Sequence, residues 1–430
     1  MIIKSKLTQN RSKAFGHTAR EAYWDFDHKN TPLNHGSFGA CPLPVREARN
    51  QILAKIEANP DLYMRTTLYE DVEAARATAC EWIDSEPLNT VFVQNATVGF
   101  NTVIRSLPLK KGDTIIYCST TYGACEKTLK FLELRHGIKH VSVDINYPMS
   151  DDEIVDAYRQ AIDAHPSTVL CLFDTVSSMP AAILPYNELV ALCREKEVLS
   201  FIDGAHSIGL IPVSMRKTQP DFYVTNVHKW GYGVRGGAIL YVAEEHHRLI
   251  HTLPVSHTYL DDSENLEPEQ EERRLIDRFT FIGTQDFSPY MAITAAYEFR
   301  KQLGGEAQIR KYCNDLAIKV GDLAASQWRT EVLGHAGAMV TVRLPIPEEF
   351  LAAASEERKQ ELFQLICDHP LTRGTYVPPI YHNGKMYVRF SAQVYNELED
   401  YQVGIDAVNE ALDIFFMNEV EEVQDMWVCV

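Results

Sequence analysis

Two stretches, Val198-Leu199-Ser200-Phe201-Ile202-Asp203-Gly204-Ala205-His206 and Phe222-Tyr223-Val224-Thr225-Asn226-Val227-His228-Lys229-Trp230, decide the fold. Each begins with a short apolar run typical of a buried strand, and each ends in polar residues. Open α/β sheets bind their ligands where the carboxyl ends of the strands meet. The two stretches therefore predict neighbouring strands that deliver Asp203 and Lys229 to one ligand site.

An amine and a carboxylate placed in this way suit pyridoxal 5′-phosphate (PLP). The amine of Lys229 can form a Schiff base with the cofactor aldehyde, and Asp203 can keep the pyridine nitrogen protonated so that the ring withdraws electrons. Alone, such a lysine is usually a surface charge and such an aspartate a cap or turn former. Together, the two residues favour a cofactor site.

Apolar runs alternate with helical patterns from about residue 70 to about residue 245, which predicts an α/β fold with a mostly parallel sheet. A capping box at Ser150–Glu153 predicts a helix that ends near His165. A capping Ser288 followed by a proline predicts a long helix, closed by glycines 304 and 305, that leads into a smaller α+β domain. The predicted strands are Val91–Val93, Thr114–Cys118, His140–Val143, Val169–Phe173, Val198–Ile202, Phe222–Val224, Ala238–Val242, Met339–Leu344 and Met386–Phe390.

Composition excludes several classes of partner. The net charge of −18 disfavours nucleic acid, and no apolar run is long enough to span a membrane. The nine cysteines are scattered without a CxxC pair, and no apolar stretch follows the basic N-terminus, so we expect reduced thiols, no metal site and a cytoplasmic protein. The acidic residues between Asp261 and Glu272 predict a solvated loop.

Three further segments follow predicted strands and could complete the cofactor site. Asn95, Ala96 and Thr97 precede a helical pattern, where backbone amides bind phosphate; the alternative is a plain helix cap. Tyr122 could stack on the pyridine ring, although such a tyrosine is more often part of a core or rim. Ser177 and Ser178 could bond the ring hydroxyl, with a simple ST-turn nearly as plausible.

Seven motifs in order resemble the class V aminotransferase superfamily, in its isopenicillin N epimerase-like branch. The resemblance covers nearly the whole chain and implies a PLP enzyme of fold type I. It also implies an N-terminal segment (1–35) that packs with the small domain, a large domain (36–300) and a small domain (301–430). The motifs are residues 33–39, Asn95–Thr97, Tyr122–Ala124, Asp203–His206, Asn226–Trp230, Gly283–Asp286, and Arg389–Ser391 followed by Tyr395–Asn396.

The resemblance also implies roles for individual residues. Lys229 is the Schiff-base lysine and Asp203 pairs with the pyridinium, while Arg389 clamps the carboxylate of an amino-acid substrate near Asn34 and His35; a structural ion pair is the alternative for Arg389. A homodimer with its active site at the subunit interface is implied as well. The other implied cofactor contacts are Tyr122 on the ring, Ser178 on the ring hydroxyl, His206 beside it, Asn226 and His228 on the phosphate, and Gly283 with Thr284 from the neighbouring subunit.

Two departures from the family pattern bear on the reaction. The segment 371–378 lacks the cysteine that the cysteine desulfurases of the superfamily need, so desulfuration by that route is not expected. After Trp230 the chain has a glycine-rich turn, residues 231–237, in place of a Pro-Arg-Gly turn, which permits different backbone angles beside the cofactor.

The reaction type stays open at the level of sequence. The resemblance implies an α-amino acid processed through an external aldimine and a quinonoid carbanion, with Lys229 as acid and base on one face and Tyr122 or His35 on the other. The unusual turn and the acidic segment favour a bond-forming, cyclising or decarboxylating step of the fungal loline-alkaloid type. The alternatives are a carbon–sulfur lyase of the ergothioneine type, an amino-acid epimerase and a cofactor-free binding protein.

Overall fold

The computed structural model describes residues 15–260 and 266–428, with side chains as far as Met417. Within that part the chain contains two principal sheets and one short β-ribbon. The strands are β1 Thr90–Val93, β2 Thr114–Cys118, β3 Lys139–Val143, β4 Thr168–Asp174, β5 Val176–Ser177, β6 Ala182–Ile183, β7 Leu199–Asp203, β8 Phe222–Asn226, β9 Ala238–Val242, β10 Val332–Ala336, β11 Met339–Arg343, β12 Pro379–His382 and β13 Lys385–Ser391.

Seven strands form the central sheet, in the order β1-β9-β8-β7-β4-β2-β3. All neighbouring pairs are parallel except those of β9, which runs antiparallel to both β8 and β1. The predicted α/β fold with a mostly parallel sheet is confirmed, and each predicted strand of this sheet ends within two residues of the observed one. The carboxyl ends of β1, β4, β7 and β8 therefore lie at one edge.

Helices cover both faces of the central sheet, and two hydrophobic clusters fill the space on its two sides. β2, β8 and β9 are buried at every position because both of their faces are covered. The α-helices are His17–Tyr23, His35–Phe38, Leu43–Ala58, Pro60–Leu62, Leu68–Ile83, Ala96–Ser106, Gly123–His136, Asp151–Ala164, Tyr186–Glu195, Met215–Thr218, Pro268–Glu272, Arg274–Thr280, Ser288–Leu303, Glu306–Trp328, Glu348–Ala353, Glu356–Thr372 and Asp400–Val428; Tyr63–Thr67 is π-helical, and Pro87–Asn89 and Glu244–His246 are 3₁₀ turns.

The C-terminal part contains a four-stranded antiparallel sheet in the order β10-β11-β13-β12. This is the smaller α+β domain expected from the sequence. The N-terminal segment is tied to it, because the Gly16 amide donates to the Val394 carbonyl (2.7 Å) and the Ser391 amide donates to the Leu33 carbonyl (3.0 Å). The domain limits at residues 35 and 300 remain predictions.

Two local predictions need correction. Ser288 is the first residue of its helix and not the cap; its hydroxyl bonds the Asp286 carboxylate instead (2.5 Å). The acidic segment is not a loop throughout, because Pro268–Glu272 is a helix whose Glu271 carboxylate binds Arg248 and Arg274 (2.8 and 2.7 Å). Residues 261–265 of that segment lie outside the described residues.

None of the helices in the described part of the chain combines the length and the hydrophobicity that a membrane span requires.

Candidate active site

A cavity of about 290 Å³ lies at the carboxyl ends of β1, β4, β7 and β8. All of the predicted cofactor-binding residues line it except Gly283 and Thr284. The strand ends bring these residues together from positions more than 130 residues apart in the chain, as the alternation of strands and helices requires. Those that line the cavity are Asn95, Ala96, Thr97, Tyr122, Ser178, Asp203, His206, Asn226, His228 and Lys229.

Asp203 shares the floor of the cavity with a second carboxylate, Asp174, which ends β4 beside it in the strand register. Both are buried. Asp203 accepts hydrogen bonds from the Ala205 amide (2.9 Å) and the Cys125 thiol (3.7 Å), whereas no donor among the described residues reaches Asp174. Burial, followed by the charge of Asp203, raises the pKa of Asp174 well above its usual range. Burial raises the pKa of Asp203 as well, but the Ala205 amide, Lys229 and Cys125 oppose this change, so a proton shared by the two carboxylates favours Asp174.

Asp174 was missed by the sequence-based prediction, although the signal that identified Asp203 also marks it, namely a carboxylate that ends a buried strand. Cys125 was missed as well. It is a buried residue in the first turn of the helix Gly123–His136, and its sequence surroundings do not differ from those of a cysteine in a hydrophobic core.

Lys229 extends its amine into the cavity, where Nζ lies 2.8 Å from Nε2 of His206. Burial lowers the pKa of Lys229 to about 8; the Asp203 carboxylate opposes this change, and the Arg389 guanidinium adds to it. A buried amine with a lowered pKa is a better nucleophile near neutral pH than an exposed lysine. This environment suits the amine that bonds the cofactor aldehyde.

The opposite end of the cavity is rich in hydrogen-bond donors. The Asn95 side chain caps the helix Ala96–Ser106 by accepting from the Val98 amide (2.9 Å), and Asn226 accepts from the Ala96 amide (2.9 Å). Nδ1 of His228 is buried and has no hydrogen-bond partner among the described residues. Burial lowers the pKa of His228 to about 4. An anion placed at this helix N-terminus would give Nδ1 a partner and would benefit from the helix dipole.

Gly283 and Thr284 lie outside this cavity in their own chain. Thr284 is exposed, and open space surrounds the position that a Cβ atom of residue 283 would take. The segment is nevertheless tied to the phosphate end of the site, because Gln94 donates to the Gln285 side chain (3.1 Å). Its predicted role in a neighbouring subunit remains a prediction.

Arg389, on β13, lies behind the cavity with only 1% of its surface exposed. Nη1 donates to the Ser178 carbonyl (2.9 Å) and Nη2 to the Asn34 amide oxygen (2.7 Å). Its Nε–H group has no partner, and none of the described carboxylates forms an ion pair with it. Burial lowers its pKa to about 10. The alternative of a structural ion pair is therefore not observed among the described residues. Nη1 also donates to the Ser178 hydroxyl (3.1 Å) and Nη2 to the Ser37 hydroxyl (3.0 Å), so a carboxylate that binds bidentately would replace some of these uncharged partners.

His35 does not fit the predicted role of an acid or base. It is buried, with Nε2 2.6 Å from the Lys229 carbonyl oxygen and Nδ1 2.8 Å from the Tyr395 hydroxyl. A carbonyl only accepts, so Nε2 carries the proton and Nδ1 accepts from the hydroxyl. Burial lowers the pKa of His35 to about 3. Both nitrogens are thus engaged within the protein, and His35 holds the backbone of Lys229 in place.

The loop that carries His35 approaches the lysine segment very closely. Gly39 adopts φ of +65°, and a Cβ atom there would lie 1.7 Å from the His228 carbonyl oxygen. Only glycine fits this contact. The contact positions Ser37 and Phe38 at the cavity wall, where they separate the cofactor cavity from an outer cavity of about 830 Å³.

Tyr122 is the N-cap residue of the helix Gly123–His136 and lies at the cavity opening with 56% of its surface exposed. Tyr122 lines the cavity, as its predicted stacking on the cofactor ring requires. Phe38 is even more exposed, at 70%. Two large, accessible aromatic rings therefore flank the entrance.

Comparison with protein-family models decides the family. The model for class V aminotransferases matches residues 40–336, which is more than half of the chain. The chain belongs to this family.

Curated relatives of this class V family protein match along most of its length. Hercynylcysteine sulfoxide lyase of Schizosaccharomyces pombe is 29% identical, and the alignment covers 91% of this chain and 96% of that protein. The L-cysteine desulfhydrase-like protein lolT1 of Epichloe uncinata is 28% identical, with coverage of 90% and 94%. Isopenicillin N epimerase of Amycolatopsis lactamdurans is 28% identical, with coverage of 73% and 81%. The predicted resemblance is confirmed.

Among solved structures, this class V family protein is similar to a complex of the cystine C-S lyase C-DES with cysteine persulfide. The TM-score is 0.73 at 17% identity, and the match covers 89% of this chain and 97% of that one. The likeness confirms the predicted fold of type I PLP enzymes.

The class V family protein is a PLP-dependent enzyme, and its relatives support a lyase over a transaminase. The residues present fit the cofactor: Lys229 offers the amine, Asp203 the carboxylate and His228 a buried ring nitrogen without a partner, in a cavity that a helix N-terminus also lines. The cofactor-free alternative does not agree with this set of donors.

Proposed function

We propose that this enzyme is a carbon–sulfur lyase that cleaves the Cβ–S bond of a cysteine derivative. The balanced reaction converts the amino acid R–S–CH₂–CH(NH₃⁺)–COO⁻ and one water into the thiol R–SH, pyruvate and ammonium. Arg389 is the observation that supports an amino-acid substrate. Its buried guanidinium lies near the amine of Lys229 and forms no ion pair with a described carboxylate. The similarity to a hercynylcysteine sulfoxide lyase and to an L-cysteine desulfhydrase-like protein supports cleavage of the carbon–sulfur bond.

When bound, PLP supplies an electron sink that makes the proton on the substrate α carbon removable. Arg389 would hold the substrate carboxylate, and Asn34 and Ser178 keep the guanidinium in plane through the hydrogen bonds described above. Lys229 Nζ would then take the α proton. The hydroxyl of Tyr122, on the accessible side, would donate a proton to the leaving sulfur.

The outer cavity supports a substrate larger than cysteine. It adjoins the cofactor cavity through Ser37 and Phe38 and has almost three times its volume, about 830 Å³ against about 290 Å³. Phe26, Tyr376 and Tyr395 are among its lining residues. A bulky group on sulfur could lie there while the amino-acid end is held near Arg389.

Release of pyruvate from cysteine S-conjugates tests the proposal. We expect turnover of S-alkyl and S-aryl cysteines, and we expect Tyr122→Phe to slow the S-alkyl conjugates by about 10²-fold, because alkyl thiolates leave poorly without a proton. S-aryl conjugates should be affected much less. Tyr381→Phe, at an exposed tyrosine of β12, is the matched control. Absence of pyruvate from all conjugates would refute the lyase.

The second candidate is the bond-forming, cyclising or decarboxylating step of the loline type that the sequence favoured. The similarity to lolT1 of Epichloe uncinata extends over 90% of this chain, but that protein is named for likeness to an L-cysteine desulfhydrase, which favours the carbon–sulfur lyase. Carbon dioxide or a new carbon–carbon bond among the products, without pyruvate, would favour this candidate. Exchange of the α proton with inversion and no other product would favour an epimerase.

We also propose a homodimer in which Gly283 and Thr284 contribute to the phosphate site of the partner. The exposure of Thr284 and its position outside the cavity of its own chain support this assignment. Sedimentation should give a mass near twice 48.8 kDa, and Thr284→Ala should weaken cofactor binding about tenfold. A monomer with full affinity for PLP would contradict the proposal.

A further inference from the structure

Trp230, His206 and Lys229 form a chain of two hydrogen bonds beneath the cofactor cavity. The indole Nε1–H of Trp230 donates to Nδ1 of His206 (3.2 Å), and Nε2 of His206 lies 2.8 Å from Nζ of Lys229. Trp230 and His206 are 2% and 3% exposed. Solvent is therefore excluded from the hydrogen bond between Trp230 and His206, so its donor and acceptor must match each other.

The direction of the second hydrogen bond follows from the first. An indole nitrogen can only donate, so Nδ1 of His206 must accept and cannot carry a proton. A neutral imidazole with an unprotonated Nδ1 carries its proton on Nε2. That proton points to Lys229, whose amine can accept it only as –NH₂, because an ammonium group has no lone pair.

Trp230 is held in a fixed place by the buried side chain of Arg300. The Trp230 carbonyl accepts from Nη1 of Arg300 (2.6 Å), and Arg300 is ion-paired with Glu306 (2.5 Å). A Cβ atom at Gly209 would lie 2.4 Å from the same carbonyl oxygen, so the backbone there is closely packed. These contacts fix the backbone of Trp230, and the indole itself is closely packed, since a Cβ atom at Gly36 would lie 3.0 Å from its Cζ2.

The surroundings of Lys229 and His206 shift the pKa values of both residues. Burial and Arg389 disfavour a charged Lys229, whereas the Asp203 carboxylate favours it. Burial lowers the pKa of His206 well below the usual value, and the neighbouring basic side chains Lys229, Arg389 and His228 add to this effect. The imidazole is therefore neutral, and its tautomer decides which form of Lys229 it can bind.

We propose that Trp230 is a positioning residue whose indole N–H selects the His206 tautomer that donates to Lys229, so that the uncharged form of the amine is favoured when it takes up the cofactor. This inference rests on the role proposed for Lys229. It does not depend on the lyase reaction, because each measurement below uses the full-length apoprotein or its uptake of PLP.

Nitrogen NMR of histidine-labelled apoprotein tests the tautomer directly. We expect the His206 ring, identified by the loss of its signals in His206→Gln, to carry its proton on Nε2 and to stay neutral between pH 6 and pH 9. A proton on Nδ1, or a charged ring, would overturn the proposal. This measurement needs no substitution of Trp230, so it decides the question even if that variant does not fold.

Trp230→Phe keeps the aromatic ring and removes the donor. His206 is then free to accept from a charged Lys229, so the pH midpoint of cofactor uptake should rise from about 8 by about one unit, and uptake at pH 7 should slow about tenfold. The matched control is Trp328→Phe, which removes an indole donor to Asn409 (2.7 Å) in the C-terminal part. An unchanged midpoint in folded Trp230→Phe would overturn the proposal, as would an equal change in the control.

Discussion

Lys229→Ala is expected to abolish covalent attachment of PLP and to lower turnover by about 10³-fold or more. The variant loses both the amine that bonds the cofactor aldehyde and the group that would take the α proton. No other lysine lines the cofactor cavity, so none of the lining residues can replace it. Intact-mass spectrometry after borohydride reduction measures attachment: the wild type should gain the mass of the reduced cofactor and the variant should not.

Lys196→Ala is the control for this substitution. Lys196 forms an exposed ion pair with Asp163 (2.6 Å), and such pairs contribute little to stability. It should retain cofactor attachment and turnover. Turnover by Lys229→Ala within tenfold of the wild type, or a cofactor adduct on another lysine, would refute the assigned role. Partial recovery of turnover with added small amines would support it further.

Arg389→Gln is expected to weaken binding of the substrate carboxylate by about 10²- to 10³-fold. The guanidinium can form a bidentate, charge-assisted pair with a carboxylate, and each such hydrogen bond contributes about 1.5 to 3 kcal/mol. Its burial makes the interaction stronger than on the surface, because water competes less. Spectral titration of the holoenzyme with alanine and with ethylamine separates the carboxylate from the amine.

The wild type should bind alanine much more tightly than ethylamine, and Arg389→Gln should bind the two almost equally. Arg343→Gln is the matched control, since Arg343 lies on the adjacent strand β11 but is ion-paired with Glu348 (2.8 Å). It should keep the preference for alanine. If Arg389→Gln also kept that preference, the clamp would have to lie elsewhere.

The strands were predictable because covered strands leave a simple signal. Thr114–Cys118 and Ala238–Val242 match the observed strands to the residue, since every position in them is buried. Their direction was not predictable. An apolar run reads alike in both directions, and nothing in Ala238–Val242 shows that this strand runs antiparallel between β1 and β8. The order of the strands depends on packing across the whole sheet.

The residues that line the candidate cofactor cavity were easier to predict than the contacts that these residues make with the rest of the protein. Asp203 and Lys229 have a local signal, a polar residue beyond a buried strand, and this signal was strengthened by the family resemblance. The engagement of His35 has none, because its partner Tyr395 lies 360 residues away in the chain. The proximity of Asp174 to Asp203 depends in the same way on the register between two strands.

The residues that line the cofactor cavity all come from the first part of the chain, and this has a consequence for protein synthesis. Every residue that lines the cofactor cavity lies between Ser37 and Lys229, whereas the carboxylate clamp needs Arg389. A chain emerging from the ribosome thus contains every residue of its vitamin-derived cofactor pocket well before Arg389 is synthesised, and it needs only β9 in addition to join β1 to β8.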